Sequence, residues 1–144
     1  MKRKILWISG GLVVTMAGVY IYYATLTHPD MLSVPADYKV DAISFIKEFH
    51  ADQNMANQKY TERNIEVSGT VSVIEKADSA INVKMIDSAT GSYLIFAFQD
   101  EHLKEAVTIR EGQRTSIKGS CSGGVHSSIL GTTFIAFKRS VLVK

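Results

Sequence analysis

The sequence predicts a mainly β domain, a five-stranded Greek-key barrel preceded by an amphipathic helix, behind one apolar N-terminal helix. Three observations predict it. An uncharged run from Ile5 to Leu26 follows Lys2, Arg3 and Lys4. Apolar residues then recur at helical spacing between Asp41 and Ala56. From Ile65 the period changes to two and holds near two to the C-terminus, with one interruption.

The apolar run is about 22 residues, or roughly 33 Å as a helix, enough to cross a hydrocarbon core of about 30 Å. Three basic residues precede it, and no Lys or Arg follows until Lys39. Basic flanks stay cytoplasmic, so the N-terminus is expected inside and the domain outside. Tyr20, Tyr22 and Tyr23 gather near the outer end, where amphipathic rings favour the headgroup region. A cleaved signal peptide is the competing reading, but its apolar core is about 7–15 residues. Ala24 has Tyr22 two places before it, a poor pair for signal peptidase. The expected organisation is a cytoplasmic tip and membrane anchor over 1–26, a linker over 27–37 and a helix-plus-barrel domain over 38–144.

Thr27 to Asp37 holds both prolines, Pro29 and Pro35, and residues before proline are driven out of helical geometry. Asp41 is the expected helix N-cap, with Asp37 the alternative. Ala42, Ile43, Phe45, Ile46, Phe49 and Ala56 form the apolar stripe of a helix of about four turns. Ile65, Val67, Gly69, Val71 and Val73 alternate with polar residues as the first strand. Lys76–Ser79 is a turn, and Ile81, Val83 and Met85 alternate in the second strand. Ser88–Gly91 turns again before a third strand over Tyr93–Phe98. Asp100 is expected to cap a short helix with Leu103, Ala106 and Val107 on one face. Thr115, Ile117, Gly119 and Cys121 alternate in the fourth strand, Ser122–Ser128 reads as a Gly/Ser loop, and Phe134–Val143 is the last strand. Its alternation breaks at Lys138-Arg139, which predicts a bulge. Three strands, a helix and two strands is the layout of an OB-fold barrel.

Two segments also resemble a known family. Asn54-Met-Ala-Asn-Gln-Lys-Tyr60 with Ile65-Glu-Val-Ser-Gly-Thr-Val71 is similar to the opening of the tRNA-anticodon-domain-like OB-fold family. Arg110-Glu-Gly-Gln-Arg-Thr-Ser-Ile-Lys-Gly-Ser-Cys-Ser-Gly123 resembles its second half. The likeness covers about residues 40 to 144. It implies the OB-fold and a bacterial envelope setting behind a signal or anchor, and no shared catalytic set. Many members hold a second cysteine in the last strand where this chain has Ser140, so any disulfide those members make is absent here. The Gly/Ser loop is also longer than the family pattern.

Charge and motifs then limit function. Without Lys2, Arg3 and Lys4 the chain keeps 13 basic residues against 14 acidic ones, a net charge of −1. A nucleic-acid binder is expected to show a basic footprint, so bulk charge does not favour that partner. A lone cysteine excludes an intramolecular disulfide and a Cys-based zinc site. Strand alternation points Cys121 inward, against a nucleophile reading of Gly119-Ser-Cys-Ser-Gly123. No G-x-S-x-G, Walker or Rossmann pattern occurs. His28, His50, His102 and His126 show no metal-ligand spacing, so no metal or cofactor is expected. OB-folds bind on strands 2 and 3 between the 1–2 and 4–5 loops, which nominates Lys84 and Tyr93 on the strands and Lys76 and His126 on the loops. Asn57, Lys59, Tyr60 and Arg63 read as structural. The expected function is a non-enzymatic, membrane-tethered extracytoplasmic module binding a protein, oligosaccharide or small molecule. Single-stranded nucleic-acid binding and a structural place in an envelope complex are the alternatives.

Overall fold

The computed structural model describes residues 15–23, 30–99 and 102–144. Residues 15–23 are helical (α1) and exposed. Among the described residues no helix is long and apolar enough to cross a membrane. Most of the expected span falls outside those residues, as does Asp100, the expected cap.

The domain begins with β1 (Tyr38–Asp41), α2 (Ala42–Ala51) and α3 (Gln53–Tyr60). Asp41 caps α2, its carboxylate accepting from the Ile43 and Ser44 amides. The expected four-turn helix is two helices, because Asp52 is extended and caps α3 through the Met55 amide. Phe45, Ile46 and Phe49 are buried, whereas Ile43, expected in the same stripe, is exposed. Tyr38, Phe45, Phe49 and Tyr60 form a run of ring contacts at 4.9–6.0 Å between centroids.

The strands follow as β2 (Asn64–Thr70), β3 (Val73–Lys76), β4 (Ala80–Ile86), β5 (Tyr93–Gln99), β6 (Arg114–Ser127) and β7 (Thr132–Val143), with α4 (Leu103–Ala106) after β5. They form one sheet ordered β1-β2-β6-β7-β5-β4-β3. The β1–β2 and β5–β7 pairs are parallel and the others antiparallel. β2 and β3 are the expected first strand, broken at Val71-Ser72. Val71 pairs its backbone with Gln113 and Gly112 on the β6 side, while the Ser72 amide donates to Lys84 on β4. One segment thus stands at both ends of the β2-to-β3 order, an arrangement consistent with an OB-like fold. β1 takes the free edge of β2, a strand the alternation did not reveal because it is four residues long.

α2 packs across one end of the sheet, against β1, β2, β5 and β7. A Cβ on Gly69 would stand 2.6 Å from Ala42 Cβ and 2.8 Å from Met85 Sδ. A Cβ on Gly124 would stand 2.5 Å from Phe49 Cδ1. These contacts explain why the Gly/Ser segment is strand: glycine lets helix side chains sit directly on strand backbone. Asn57 secures the same place, its Nδ2 donating to Gly124 O (3.0 Å) and its Oδ1 accepting from Gly124 N (2.7 Å).

The bulge expected at Lys138-Arg139 is present. Lys118 pairs with Val141 but Ser120 with Lys138, and Arg139 has φ +53°. Val107, expected on a buried face, is exposed, and Ile109 takes the buried place. Ahead of the barrel, Met31 is buried, and Lys118 Nζ donates to Leu32 O (3.2 Å) and Val34 O (2.7 Å). This ammonium, itself largely buried, pins the incoming chain to the outside of β6.

Cys121 is fully buried, and burial pushes its thiol up to about 11, with the Gly123 backbone pulling down and Glu62 adding to the rise. The side chain is a protonated core group at neutral pH.

Two outcomes follow from the packing. Gly69→Ala is expected to cost about 1–3 kcal/mol of stability by urea denaturation. Adding Ala42→Gly removes the Ala42 half of the clash and leaves that with Met85, so the double variant should lose less than the two single losses combined; strict additivity would refute the Ala42 contact. Cys121 should resist a thiol reagent at about pH 8 until denaturant is added, whereas labelling at the unfolded rate would show an open core.

Candidate ligand-binding face

An OB barrel binds on the outer surface of its second and third strands, here β4 and β5. Alternation sends Ile81, Val83, Met85, Leu94, Phe96 and Phe98 into the core and leaves the other parity outside. Strand register then lines up Ile86, Tyr93, Phe134 and Val125 across β4, β5, β7 and β6. The next row is Val73, Lys84, Ile95 and Ala136. The Tyr93 and Phe134 rings stack at 6.0 Å with planes 20° apart. Lys84 Nζ lies 5.2 Å from the Tyr93 ring centroid and ion-pairs with Glu75. Beyond the first row stands the β6–β7 turn, where Ile129 is 95% and Leu130 73% exposed. The face is therefore two stacked rings on an apolar strip, bounded by an apolar hairpin tip.

Its cations are engaged. Lys84 is held by Glu75, and Lys138 Nζ by both oxygens of Glu62 at 2.8 and 3.0 Å. Phosphate recognition needs cations not already paired, so ring stacking and apolar contact dominate what this surface offers.

Of the four residues nominated from sequence, the structure brings Lys84 and Tyr93 together. Lys76 pairs with Ile81, on the opposite strand parity from Lys84, and is exposed at the end of β3. His126 is in β6 and not in a loop. It pairs with Thr133, one residue past the Val125–Phe134 pair, so it faces away from the rings. Its Nδ1 is 3.1 Å from Thr133 Oγ1, and its ring centroid is 6.5 Å from that of His50. The residue that sequence reasoning missed is Phe134. The signal was its parity: Phe134 and Ala136 oppose Ile135 and Phe137, so one phenylalanine of that strand had to face out.

The family-like motif residues make contacts within the fold. The Tyr60 hydroxyl and Lys59 Nζ both donate to Glu48 at 2.8 Å, and Lys59 also lies over the Tyr60 ring at 4.6 Å. Burial pushes the Glu48 carboxyl up, but those two hydrogen bonds outweigh it and hold the group below its usual range. Arg63 joins α3 to β2, its carbonyl accepting from the Cys121 amide at 2.9 Å. His102 Nε2 lies 3.2 Å from Asp30 Oδ1, and His28 is outside the described residues. Among the described residues no three His, Cys, Asp or Glu side chains gather as a metal site.

Comparison with known proteins places this barrel. No curated protein matches the chain. A solved structure from Klebsiella pneumoniae, named a "putative nucleic acid-binding lipoprotein", is similar at a TM-score of 0.60 and 20% identity. The match covers 77% of this chain and 100% of that one, and at this identity it shows a shared fold. The tRNA_anti-like family matches residues 1–131, reaching from the N-terminus to the β6–β7 turn. The chain belongs to the tRNA_anti-like family.

Proposed function

We propose that this protein is a non-enzymatic binding module, tethered to a membrane through residues 5–26, which holds its ligand on the outer face of β4, β5 and β7 outside the cytoplasm. The stacked Tyr93–Phe134 pair carries the reading. Large rings on a strand surface are ordinarily turned inward, where each contributes about 1.5–3 kcal/mol by burial. Two partly exposed rings in register, continued by the exposed Val125, Ile129 and Leu130, form a surface that gains from being covered. The face lies where OB-folds take oligosaccharides and oligonucleotides. With its lysines paired and a net charge of −1 beyond the basic tip, an uncharged or weakly charged ligand suits it best.

The tether is supported by the length of the uncharged run and its basic flank. The non-enzymatic reading is supported by Cys121, the one nucleophile the sequence suggested, being buried and protonated. A second reading, single-stranded nucleic acid, has one observation in its favour: the similar Klebsiella lipoprotein is named for nucleic-acid binding. Stacked rings serve bases as well as sugars or peptides.

Photo-crosslinking in native membranes tests the face. A benzophenone amino acid at position 93 or 134 should yield a discrete adduct, and one at Lys104, on exposed α4, should not. Adducts at all three positions, or at none, would sink the assignment. A labelled single strand of twelve nucleotides separates the two readings. The leading one expects no anisotropy change with the full-length protein in detergent at low salt. The nucleic-acid reading expects binding that weakens with salt and loses about 1–3 kcal/mol for each of Tyr93→Ala and Phe134→Ala.

A further inference from the structure

We propose that His50 and His126 form a two-imidazole site for a divalent transition ion of the zinc, copper or nickel class. The fold brings together two histidines that lie far apart in sequence. His50 is on the last turn of α2 and His126 is in β6, and their ring centroids are 6.5 Å apart with planes at 61°. Two imidazoles bound to one ion at about 2.0–2.1 Å place their centroids roughly 5–6 Å apart. His50 is exposed, so a small side-chain rotation closes the remaining gap.

The surroundings favour a ligand role for His126. A metal-binding histidine has its second nitrogen engaged by an oxygen, which fixes the tautomer and aims the first nitrogen. His126 Nδ1 is within 3.1 Å of Thr133 Oγ1. Thr133 is buried, and its amide donates to Ser92 Oγ at 3.0 Å, so the positioning oxygen is itself held. In the tautomer whose Nδ1–H donates to Thr133 Oγ1, the lone pair is on Nε2 and free for an ion. The two rings, with Phe49, Gln53 and Thr133, line a cleft of about 210 Å³. A water takes about 30 Å³, so the cleft admits an ion with several waters. Neutral imidazole is a ligand of borderline ions and not of calcium or magnesium, which sets the class. Among the described residues no carboxylate lines this cleft, and Asp87, which lines the neighbouring one, is committed to the Ala89 amide and Thr90 hydroxyl at 3.0 Å, so water completes the coordination.

Two protein nitrogens make an exchangeable site filled at micromolar ion, not a structural centre. It is independent of the ring face, since His126 and Val125 point to opposite sides of β6.

The test is titration of full-length protein in detergent, freed of metal by chelator, with Zn²⁺ and with Cu²⁺. One ion per chain is expected, and the Cu²⁺ spectrum should show nitrogen hyperfine coupling. His50→Ala and His126→Ala should each weaken binding by about tenfold or more, and Thr133→Val by about tenfold through the mispositioned imidazole. His28→Ala and His102→Ala should leave the affinity unchanged. Retention of the stoichiometric ion in the folded His50→Ala/His126→Ala double variant would overturn the proposal, as would saturation only at millimolar ion in the native protein.

Discussion

Everything in this barrel depends on the corner at Val71-Ser72. A seven-stranded sheet ordered β1-β2-β6-β7-β5-β4-β3 has two edges, and backbone groups at an edge seek partners. Here the corner passes one segment from the β6 side to the β4 side within two residues. The strand changes neighbours without leaving a gap. The Ser72 hydroxyl reinforces the change by accepting from the Ile86 amide at 3.0 Å. With its neighbours set on both sides, the register fixes which residues of β4, β5 and β7 share a row. The Tyr93–Phe134 pair is a product of that register.

α2 is the second constraint, and it explains the placement of glycine. The helix sits so close to the mouth that Ala42 meets Gly69 and Phe49 meets Gly124 without an intervening side chain. Leu, Ile or Val in either strand would lift the helix and uncouple Phe45 and Phe49 from Tyr60 and Phe137. The same closeness brings His50 to His126. Helix docking and the histidine pair are one geometric event.

Much of this was legible in the chain, and the failures have physical causes. β4, with one buried face, wrote itself as alternation and was readable to within a residue or so; β5 was readable as an apolar run, and the first strand was read as one element where the chain has β2 and β3. The Asp41 cap and the Lys138-Arg139 bulge were readable because each breaks a pattern locally. Ser122–Ser128 misled because glycine there marks close packing under Phe49, while glycine in sequence alone signals a turn. Asp52 split one helix into two because an Asp that caps is indistinguishable from a solvated Asp on a helix face. His126 was misassigned as a consequence of the glycine error: once the loop became strand, its parity turned it from the ring face to α2. Lys84 and Tyr93 were nominated because OB geometry names their strands, and Phe134 was not because the residue it stacks on is 41 positions away.

Lys118 gives the domain a direction. Its ammonium holds the carbonyls of Leu32 and Val34, and its backbone pairs with Val141, three residues from the C-terminus. The incoming chain and the outgoing chain therefore leave from the same end of β7, while Ile129 and Leu130 stand at the other. From Lys118 to Ser127 is nine residues of strand, roughly 30 Å at about 3.3 Å each. Entry at Leu32–Val34 and the Val141 end of β7 therefore share one foot of the domain, and the apolar Ile129–Leu130 turn forms its opposite crown.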